Sequence, residues 1–444
     1  MARVVVVGGG LGGCAAAARL AKLGHEVRLV ERSERVGGAV GFVEQDGYRW
    51  DGGPHATLLP AVLRDLFRKT GRPLERELEL VPLEPLREHW FDDGTVLTLP
   101  GGSRAAQQQA IETAFGTTPR RGPAPAQQWL DYTHALVPAW NALRRDVLER
   151  HYSPEHATPE ARALLGDRTS LRRRVRKALP DPRLQAMAEL PAVLDGQEPR
   201  DVPAWAGVTS YLEQNFGLWT VADGFGAVAA AMAARLAQRK VQVLTGTTAR
   251  DLALRSGHVA GVVTDTGCLE ADVVVCAVDP RSLPALAGFV ARTTPAVPPV
   301  VCHLGLAGEL PDLPGEVVLH GDPLLVVRRT GNATGSRQAW TVLARGRVDE
   351  DVVEALARRG LDVREHVEVR VDRSPRDLVA AWGGSPYGLR WEGRGTMRRR
   401  LGTVTPVPGV LACGASAGPG AGVGAGVPFV GLGAALVAAE VGRA

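Results

Sequence analysis

Three glycines near the N-terminus have the spacing of a phosphate-binding turn. Gly8, Gly10 and Gly13 satisfy G-x-G-x-x-G directly after the apolar run Val4–Val7, and Glu31 follows 18 residues after Gly13. Such a turn lets backbone amides approach a pyrophosphate, and an acidic residue at this distance accepts hydrogen bonds from a ribose. The motif indicates a bound dinucleotide but does not discriminate between NAD and FAD.

The elements around this turn predict a Rossmann-type β-α-β unit. We expect a buried parallel strand over Val4–Val7, a helix over Ala15–Leu23 and a second strand over Glu26–Val30 that ends at Glu31. The N-terminal turn of the helix would face the phosphates. The agreement of these elements with the glycine spacing favours a ligand site over a glycine turn without a ligand.

The rest of the chain predicts further strands around a helical middle. Hairpins are expected around Asp46-Gly47 and Asp93-Gly94, and a largely helical segment over 102–216. The other predicted strands are Val241–Leu244, Val259–Asp265, Ala271–Ala277, Val300–Leu306, Leu324–Arg328, Ala339–Ala344, Val367–Val371 and Val410–Cys413. The other predicted helices are Leu59–Thr70, Val228–Arg239, Asp349–Arg359 and, after a glycine-rich loop, Val427–Val441. The dinucleotide-binding fold is therefore expected to be discontinuous.

Composition excludes several function classes. The net charge of +4 over 444 residues does not call for a nucleic-acid partner. The five cysteines form no C-x-x-C pair and the ten histidines no H-E-x-x-H motif, which argues against a disulfide framework or a metal site. This cysteine usage fits a reducing cytoplasm, and the N-terminus does not have the pattern of a signal peptide.

Two segments raise the question of membrane contact. Residues 401–439 carry no charge, but four prolines and many glycines interrupt them, so we predict no membrane span there. The basic run Arg172–Lys177 is interpreted as a solvated helix face. The alternative is a patch that contacts anionic lipid head groups.

Further motifs lie along nearly the whole chain. Together they resemble the motifs of the phytoene desaturase branch of the FAD-dependent amine-oxidase-type flavoproteins. Besides the first glycine turn, they are Gly37-Gly38, Asp51-Gly52-Gly53-Pro54, Gly217-Leu218-Trp219 with Gly224-Phe225-Gly226, Asp279-Pro280 after the strand Ala271–Ala277, Arg373–Leu378 and Gly414–Gly420. The resemblance implies FAD as the cofactor.

The resemblance also implies an architecture. The expected α/β fold has a Rossmann-like, glutathione-reductase-like FAD-binding domain formed by residues 1–70, 220–285 and 396–444. A mixed-sheet substrate domain would comprise 71–101 and 286–395, and a helical subdomain facing substrate or membrane would comprise 102–219.

Cofactor contacts follow from the resemblance, position by position. The adenosine diphosphate half would contact Gly8, Gly10, Gly13 and Glu31, and Leu11, Gly12 and Arg32 are further expected cofactor contacts. Gly37 and Gly38 would line the pyrophosphate, and Ala249 the adenine. Gly53, Pro54 and His55 would border the flavin, and Val427 and Pro428 would lie near its ring. The second phosphate and the ribityl chain would contact Gly414, Ala415 and Ser416. The last helix would direct its N-terminus at the N1–C2 edge of the flavin.

Some positions leave the chemistry open. Many relatives carry Arg directly after the paired glycines, whereas this chain has Ala39, for which Arg35 is a candidate substitute. His55 is the candidate catalytic group near the flavin ring, although a structural histidine is the favoured interpretation. Cys14 is expected to be a buried packing residue rather than a reactive thiol. Trp219 fits core packing and flavin contact equally well.

The implied activity is removal of hydride from, or isomerisation of, a polyene or isoprenoid lipid by a peripherally membrane-associated enzyme. No second intact G-x-G-x-x-G lies between a strand and a helix, so we expect oxygen or a quinone as the electron acceptor. An alternative is an oxidase of an amine, a porphyrinogen or a secondary metabolite. A lipid-binding escort protein of the same fold is the alternative without enzymatic activity.

Overall fold

The computed structural model describes residues 1–119, 121–329, 336–419 and 426–444. Its strands are β1 (Arg3–Val7), β2 (Glu26–Val30), β3 (Phe42–Gln45), β4 (Tyr48–Asp51), β5 (Leu80–Pro82), β6 (Arg87–Trp90), β7 (Val96–Leu99), β8 (Trp219–Val221), β9 (Gln242–Leu244), β10 (Ala249–Arg255), β11 (His258–Thr264), β12 (Gly267–Glu270), β13 (Val273–Cys276), β14 (Val300–Leu306), β15 (Glu316–Leu319), β16 (Leu324–Arg328), β17 (Gln338–Arg345), β18 (Val367–Arg373) and β19 (Val410–Ala412).

The helices are α1 (Leu11–Lys22), α2 (Ala61–Thr70), α3 (Arg104–Phe115), α4 (Pro125–His134), α5 (Val137–Leu143), α6 (Pro159–Gly166), α7 (Leu171–Ala178), α8 (Pro182–Leu194), α9 (Val208–Phe216), α10 (Ala227–Gln238), α11 (Pro284–Val290), α12 (Val352–Arg358), α13 (Pro375–Trp382), α14 (Thr396–Arg399) and α15 (Val427–Val441). Shorter helical turns lie at Leu74–Arg76, Arg144–Leu148, Ala204–Gly207, Pro280–Ser282 and Arg364–His366. No helix of the described residues combines the length and apolar character that a membrane crossing needs.

A parallel sheet joins four distant parts of the chain in the order β19-β13-β1-β2-β9. Helices α1, α10 and α15 cover one of its faces, and the antiparallel sheet β10-β11-β12 covers the other. Burial on both faces explains the uninterrupted apolar run of β1. Because all five strands are parallel, the loops after their carboxyl ends meet at one edge of the sheet.

A second, mixed sheet has the order β18-β14-β17-β16-β15-β6-β7. Its neighbours pair antiparallel except for β15 and β6, which run parallel. Apolar side chains of α12 pack on one face, and the hairpin β3-β4 packs against β17. Helices α3 to α9 surround a separate aromatic-rich core that contains Trp129, Trp140 and Trp205.

The predicted α/β class is confirmed, and the discontinuous parallel sheet arises as expected. Strands Glu26–Val30, Val300–Leu306 and Leu324–Arg328 have their predicted bounds, as has helix Val427–Val441. The first helix begins at Leu11 rather than Ala15, because the glycine motif itself forms its first turn. Strand β15 was not predicted. The glycine-rich loop lies partly outside the described residues, and the three domain ranges stay a prediction.

The basic run lies on α7, which buries Leu171 and Val175, leaves Arg172 half-buried and exposes its other charges. Arg172 forms ion pairs of 3.3 Å with both Glu189 and Glu198. The run is thus an amphipathic helix face whose charges are partly paired, and its exposure fits both the solvated face and the lipid-contact alternative.

The glycine motif yields a stability prediction with a matched control. A Cβ atom on Gly13 would lie 1.9 Å from the carbonyl oxygen of Gly8, whereas one on Gly10 would meet nothing within 4 Å. Gly13→Ala is therefore expected to lower the free energy of unfolding by about 1–3 kcal/mol or more, and Gly10→Ala by much less. Chemical denaturation of ligand-free protein measures both values. Equal stability of the two variants would contradict the steric argument.

Candidate functional site

One cavity of about 1120 Å³ is lined by both ends of the chain and by the mixed sheet. Its wall includes the loops after β1, β2 and β13 at the carboxyl edge of the parallel sheet. This is the place where open parallel sheets bind ligands. The cavity continues to side chains of α8, α9, β15 and β16, so one space joins the carboxyl edge of the parallel sheet to the second sheet.

The glycine turn presents backbone donors to this cavity. Gly8 leaves β1 with a φ of +102°, a left-handed conformation that favours glycine. Helix α1 follows with Gly10 at its N-cap, without a side-chain cap and without an acidic residue in its first turn. The first-turn amides and the positive end of the helix dipole are therefore available to an anionic ligand.

The second glycine pair closes over the first turn. The amide of Gly37 donates to the carbonyl oxygen of Gly9 at 2.7 Å. Gly37 and Gly38 have φ angles of +131° and +61°, and a Cβ atom on Gly38 would lie 3.0 Å from the Cα atom of Gly10. Side chains at these positions would obstruct the close approach of the two loops. The pair forms a narrow, side-chain-free groove.

Glu31 is held rigidly beside this groove. Its Oε2 atom accepts a hydrogen bond from the amide of Gly9 at 2.7 Å, and its Oε1 atom accepts one from the amide of Ser33 at 2.8 Å. Each carboxylate oxygen has a further lone pair, so the side chain can also accept hydrogen bonds from a diol that enters the cavity.

The C-terminal segment completes the wall. A Cβ atom on Gly12 would lie 3.1 Å from the Cα atom of Gly414 and 3.0 Å from Cγ1 of Val430, so glycines allow the two chain ends to touch. Helix α15 begins at Val427 after Gly426, again without a side-chain cap or a first-turn acidic residue. A second helix N-terminus therefore faces the same cavity.

The residues present fit a flavin dinucleotide. The side-chain-free groove and the uncapped start of α1 suit a pyrophosphate, and the fixed carboxylate of Glu31 suits a ribose. The uncapped start of α15 suits the electron-rich edge of a ring that carries negative charge when reduced.

Most predicted cofactor residues line this cavity. They are Gly8, Gly10, Leu11, Gly12, Glu31, Gly37, Gly38, Gly53, Pro54, His55, Gly414, Ala415, Ser416, Val427 and Pro428. Gly13 instead packs helix α1 against Gly8, and Arg32 donates to the carbonyl oxygens of Ala380 and Ala381. Ala249 begins β10 away from the cavity wall, where Val243 and Thr245 lie instead.

The structure also places the other positions that the sequence analysis singled out. Ala39 and Arg35 both line the cavity, so Arg35 is placed where it can supply a positive charge. Cys14 is a buried packing residue whose thiol pKa is raised to about 12 by burial. Trp219 does not line the cavity; its indole donates to the carbonyl oxygen of Phe216 at 2.9 Å and contacts the guanidinium of Arg64.

The cavity wall on the mixed sheet carries alternating charges. Arg87, Glu316 and Arg328 lie side by side on β6, β15 and β16, and we call them the charge row. Arg87 donates to Oε1 of Glu316 at 2.9 Å, and Arg328 donates to Oε2 at 2.9 Å. Glu213 of α9 accepts two further bonds from Arg87, at 3.0 and 2.9 Å.

The charge row is buried, and its charges depend on one another. Burial raises the pKa of Glu316, but Arg328 and Arg87 outweigh this effect and hold it well below its usual value. Burial lowers the pKa of Arg87, but Glu213 and Glu316 raise it above its usual value. Both groups therefore stay ionised inside the protein.

His55 joins the end of this network. Its Nε2 atom lies 3.2 Å from Oε2 of Glu316, although the geometry falls short of a hydrogen bond. Burial, with a contribution from Arg328, lowers the pKa of His55 to about 4. His55 is thus a neutral imidazole at physiological pH, next to the Gly53-Pro54 turn.

Sequence reasoning missed every member of the charge row. Glu316 begins an unpredicted strand, and Arg328 ends a predicted one in an otherwise apolar pattern. A charged residue at the end of a buried strand was the available signal, because arginine and glutamate are rarely buried without a partner.

Removal of one member tests the mutual dependence of these charges. Arg87→Met leaves Glu213 buried without its paired arginine and leaves Glu316 with Arg328 alone, so we expect a loss of about 3–5 kcal/mol in the free energy of unfolding. Arg364→Met, which breaks an exposed pair with Asp362, serves as the control and should unfold like the wild type. Urea denaturation measures both. Similar stability of the two variants would show that the row is not energetically coupled.

Comparisons with known proteins agree with this site. A family model for flavin containing amine oxidoreductases matches residues 11–332. The chain is 27% identical over 331 residues to a 4,4'-diapolycopene oxygenase of Methylomonas sp, covering 70% of this chain and 64% of that protein. It is 29% identical over 328 residues to a phytoene dehydrogenase of Streptomyces griseus, covering 72% and 63%. The alignments thus span a little under two thirds of these relatives.

A solved structure of a putrescine oxidase variant has the same fold. It superimposes with a TM-score of 0.69 at 17% identity and covers 99% of this chain and 98% of that one. The predicted Rossmann-like architecture and the resemblance to carotenoid desaturases are confirmed. The chain belongs to the flavin-containing amine oxidoreductase family, which implies a flavin cofactor.

Proposed function

We propose that this protein is an FAD-dependent oxidoreductase that removes hydride from a polyene or other isoprenoid lipid. The observation that carries the proposal is the continuous cavity, which joins the nucleotide-binding edge to a space lined by the second sheet. The relatives named for phytoene and diapolycopene support the substrate class.

FAD is the form of flavin that this wall suits. The N-terminal glycine turn, Gly37-Gly38 and Glu31 would hold its adenosine diphosphate half. Gly53 and Pro54 would border its ring, and Gly414 to Ser416 its ribityl chain. When bound, the flavin would accept the hydride, and the N-terminus of α15 would stabilise the resulting negative charge.

The chain's own residues would orient the substrate and exclude water. Leu194, Leu218, Leu343 and Phe429 supply apolar surface along the cavity, which would align a C–H bond by packing. The polyene loses a proton together with the hydride, and that proton would pass to a base or to water. Because a pKa of about 4 makes the imidazole of His55 a weak proton acceptor, a positioning role beside Glu316 is favoured over a role as general base.

Electron transfer from the reduced protein to oxygen or a quinone completes the proposed reaction. The substrate would enter from a bilayer through peripheral contact, for which the exposed Arg173, Arg176 and Lys177 on α7 are candidates.

The decisive experiment is reduction of the purified protein without oxygen. We expect bound FAD to bleach on addition of a phytoene-type polyene in liposomes and the polyene to gain double bonds. Bleaching by an amine or a porphyrinogen, without bleaching by polyenes, would favour an oxidase of those compounds. Protein that neither contains nor accepts FAD would favour the escort-protein alternative.

FAD binding has its own prediction. Glu31→Gln removes charge-assisted hydrogen bonds worth about 1.5–3 kcal/mol, so we expect the dissociation constant for FAD to rise about 10-fold or more. Glu26→Gln changes an exposed carboxylate at the start of β2, the strand that leads to Glu31, and should leave the dissociation constant unaltered. Titration of flavin-free protein by fluorescence measures both. Equal affinity of the two variants for FAD would show that the carboxylate of Glu31 does not contribute to FAD binding.

A further inference from the structure

The charge row has no function in the binding of a pure hydrocarbon. A polyene hydrocarbon offers no hydrogen-bond acceptor and no charge, yet this wall of its proposed cavity carries two guanidinium groups and a carboxylate. Strand pairing places these groups together. Glu316 lies opposite Arg328 across β15 and β16. On the other side of β15, Val317 lies opposite Glu88 of the parallel strand β6, so Glu316 and Arg87, the residues before them, are neighbours. The row is thus built into the sheet.

The donors of the row are unequally used. Arg87 directs three nitrogens at carboxylates, one at Glu316 and two at Glu213. Arg328 uses only Nε, toward Glu316. Its two terminal nitrogens find no protein acceptor in the described part of the chain, although the side chain is only 12% exposed and lines the cavity. These nitrogens are not fully buried, so an oxygen acceptor in the cavity could reach them.

The neighbours of Arg328 form a polar recess at this wall. Asp195 and Tyr387 also line the cavity. Burial raises the pKa of Asp195 to about 6, against the opposing effects of Arg345 and Arg328. Arg345 itself is engaged, since it donates to the carbonyl oxygens of Leu194 and Val297. Arg345 does not line the cavity, so among the described residues the guanidinium that presents unengaged terminal nitrogens to this part of the cavity is that of Arg328.

We infer that the terminal nitrogens of Arg328 bind a carbonyl or carboxylate oxygen at one end of the substrate. This inference rests on the proposed function and narrows it to an oxygenated polyene. A guanidinium presents parallel N–H groups that match such an oxygen acceptor. His55 connects the row to the Gly53-Pro54 turn, so the oxygen would be held beside the flavin-bordering wall.

The test compares three linear polyenes of equal length with the FAD-loaded protein: a hydrocarbon, its terminal aldehyde and its terminal carboxylic acid. Dissociation constants come from quenching of flavin fluorescence in detergent micelles, and turnover comes from anaerobic bleaching. We expect at least one oxygenated polyene to bind 10-fold or more tightly than the hydrocarbon. Comparison of the dissociation constants of the aldehyde and the acid identifies whether Arg328 binds a carbonyl or a carboxylate oxygen.

Two variants assign the preference to Arg328. Arg328→Met should abolish it, whereas Arg329→Met, which alters the adjacent residue outside the cavity wall, should retain it. Should Arg328→Met fail to fold, Arg328→Lys keeps a positive charge for Glu316 and loses the planar fork, and it should reduce the preference. Circular dichroism confirms folding of each variant.

The outcomes separate this inference from the proposed function. Equal binding of all three polyenes, or a preference that survives Arg328→Met, would overturn the oxygen site and leave the proposed function intact. Preferential binding of an oxygenated polyene without bleaching would support the site and overturn the proposed redox role. Failure of all three to bind would overturn both.

Discussion

The close approach of backbone to backbone at the glycine turn is the constraint on which the rest of the structure depends. Gly13 allows α1 to lie against the end of β1, where any Cβ atom would overlap the carbonyl oxygen of Gly8. Gly12 allows the C-terminal segment at Gly414 to reach the same point. Without these contacts neither the groove beside Gly37 nor the start of α15 would face the cavity, because both are positioned by α1 and its loop.

The charge row is a second constraint, of an electrostatic kind. Taking charges out of water costs several kcal/mol per ion, and hydrogen bonds within the row and to Glu213 offset that cost. An apolar wall of similar volume would often be as stable. The presence of ions in a cavity otherwise suited to a lipid therefore points to recognition of a polar group of the substrate rather than to stability. Arg328 is the member of the row whose terminal nitrogens have no acceptor among the described residues.

These two constraints divide the cavity. Uncharged backbone, glycines and helix ends form the part that suits a flavin dinucleotide, whereas buried ions and apolar side chains form the part that faces the second sheet. His55 lies between them, in contact with Glu316 and directly after Pro54. Its low pKa is thus a consequence of position, since burial and a nearby arginine both disfavour its charged form.

The sequence by itself determined the glycine turn and the strands and helix around it, because glycine spacing and strand periodicity can be read from neighbouring residues. The turn at Gly8, the strand ending at Glu31 and the helix Val427–Val441 were all predictable in this way. The adenine contact was assigned to Ala249 by resemblance to the family alone, and the structure places Ala249 away from the cavity wall. Only the tertiary structure brought together Arg87, Glu316 and Arg328, because residues up to 241 positions apart became neighbours through strand order and register. The local pattern marks a charge at the end of a buried strand, but it does not indicate which distant charge will lie beside it.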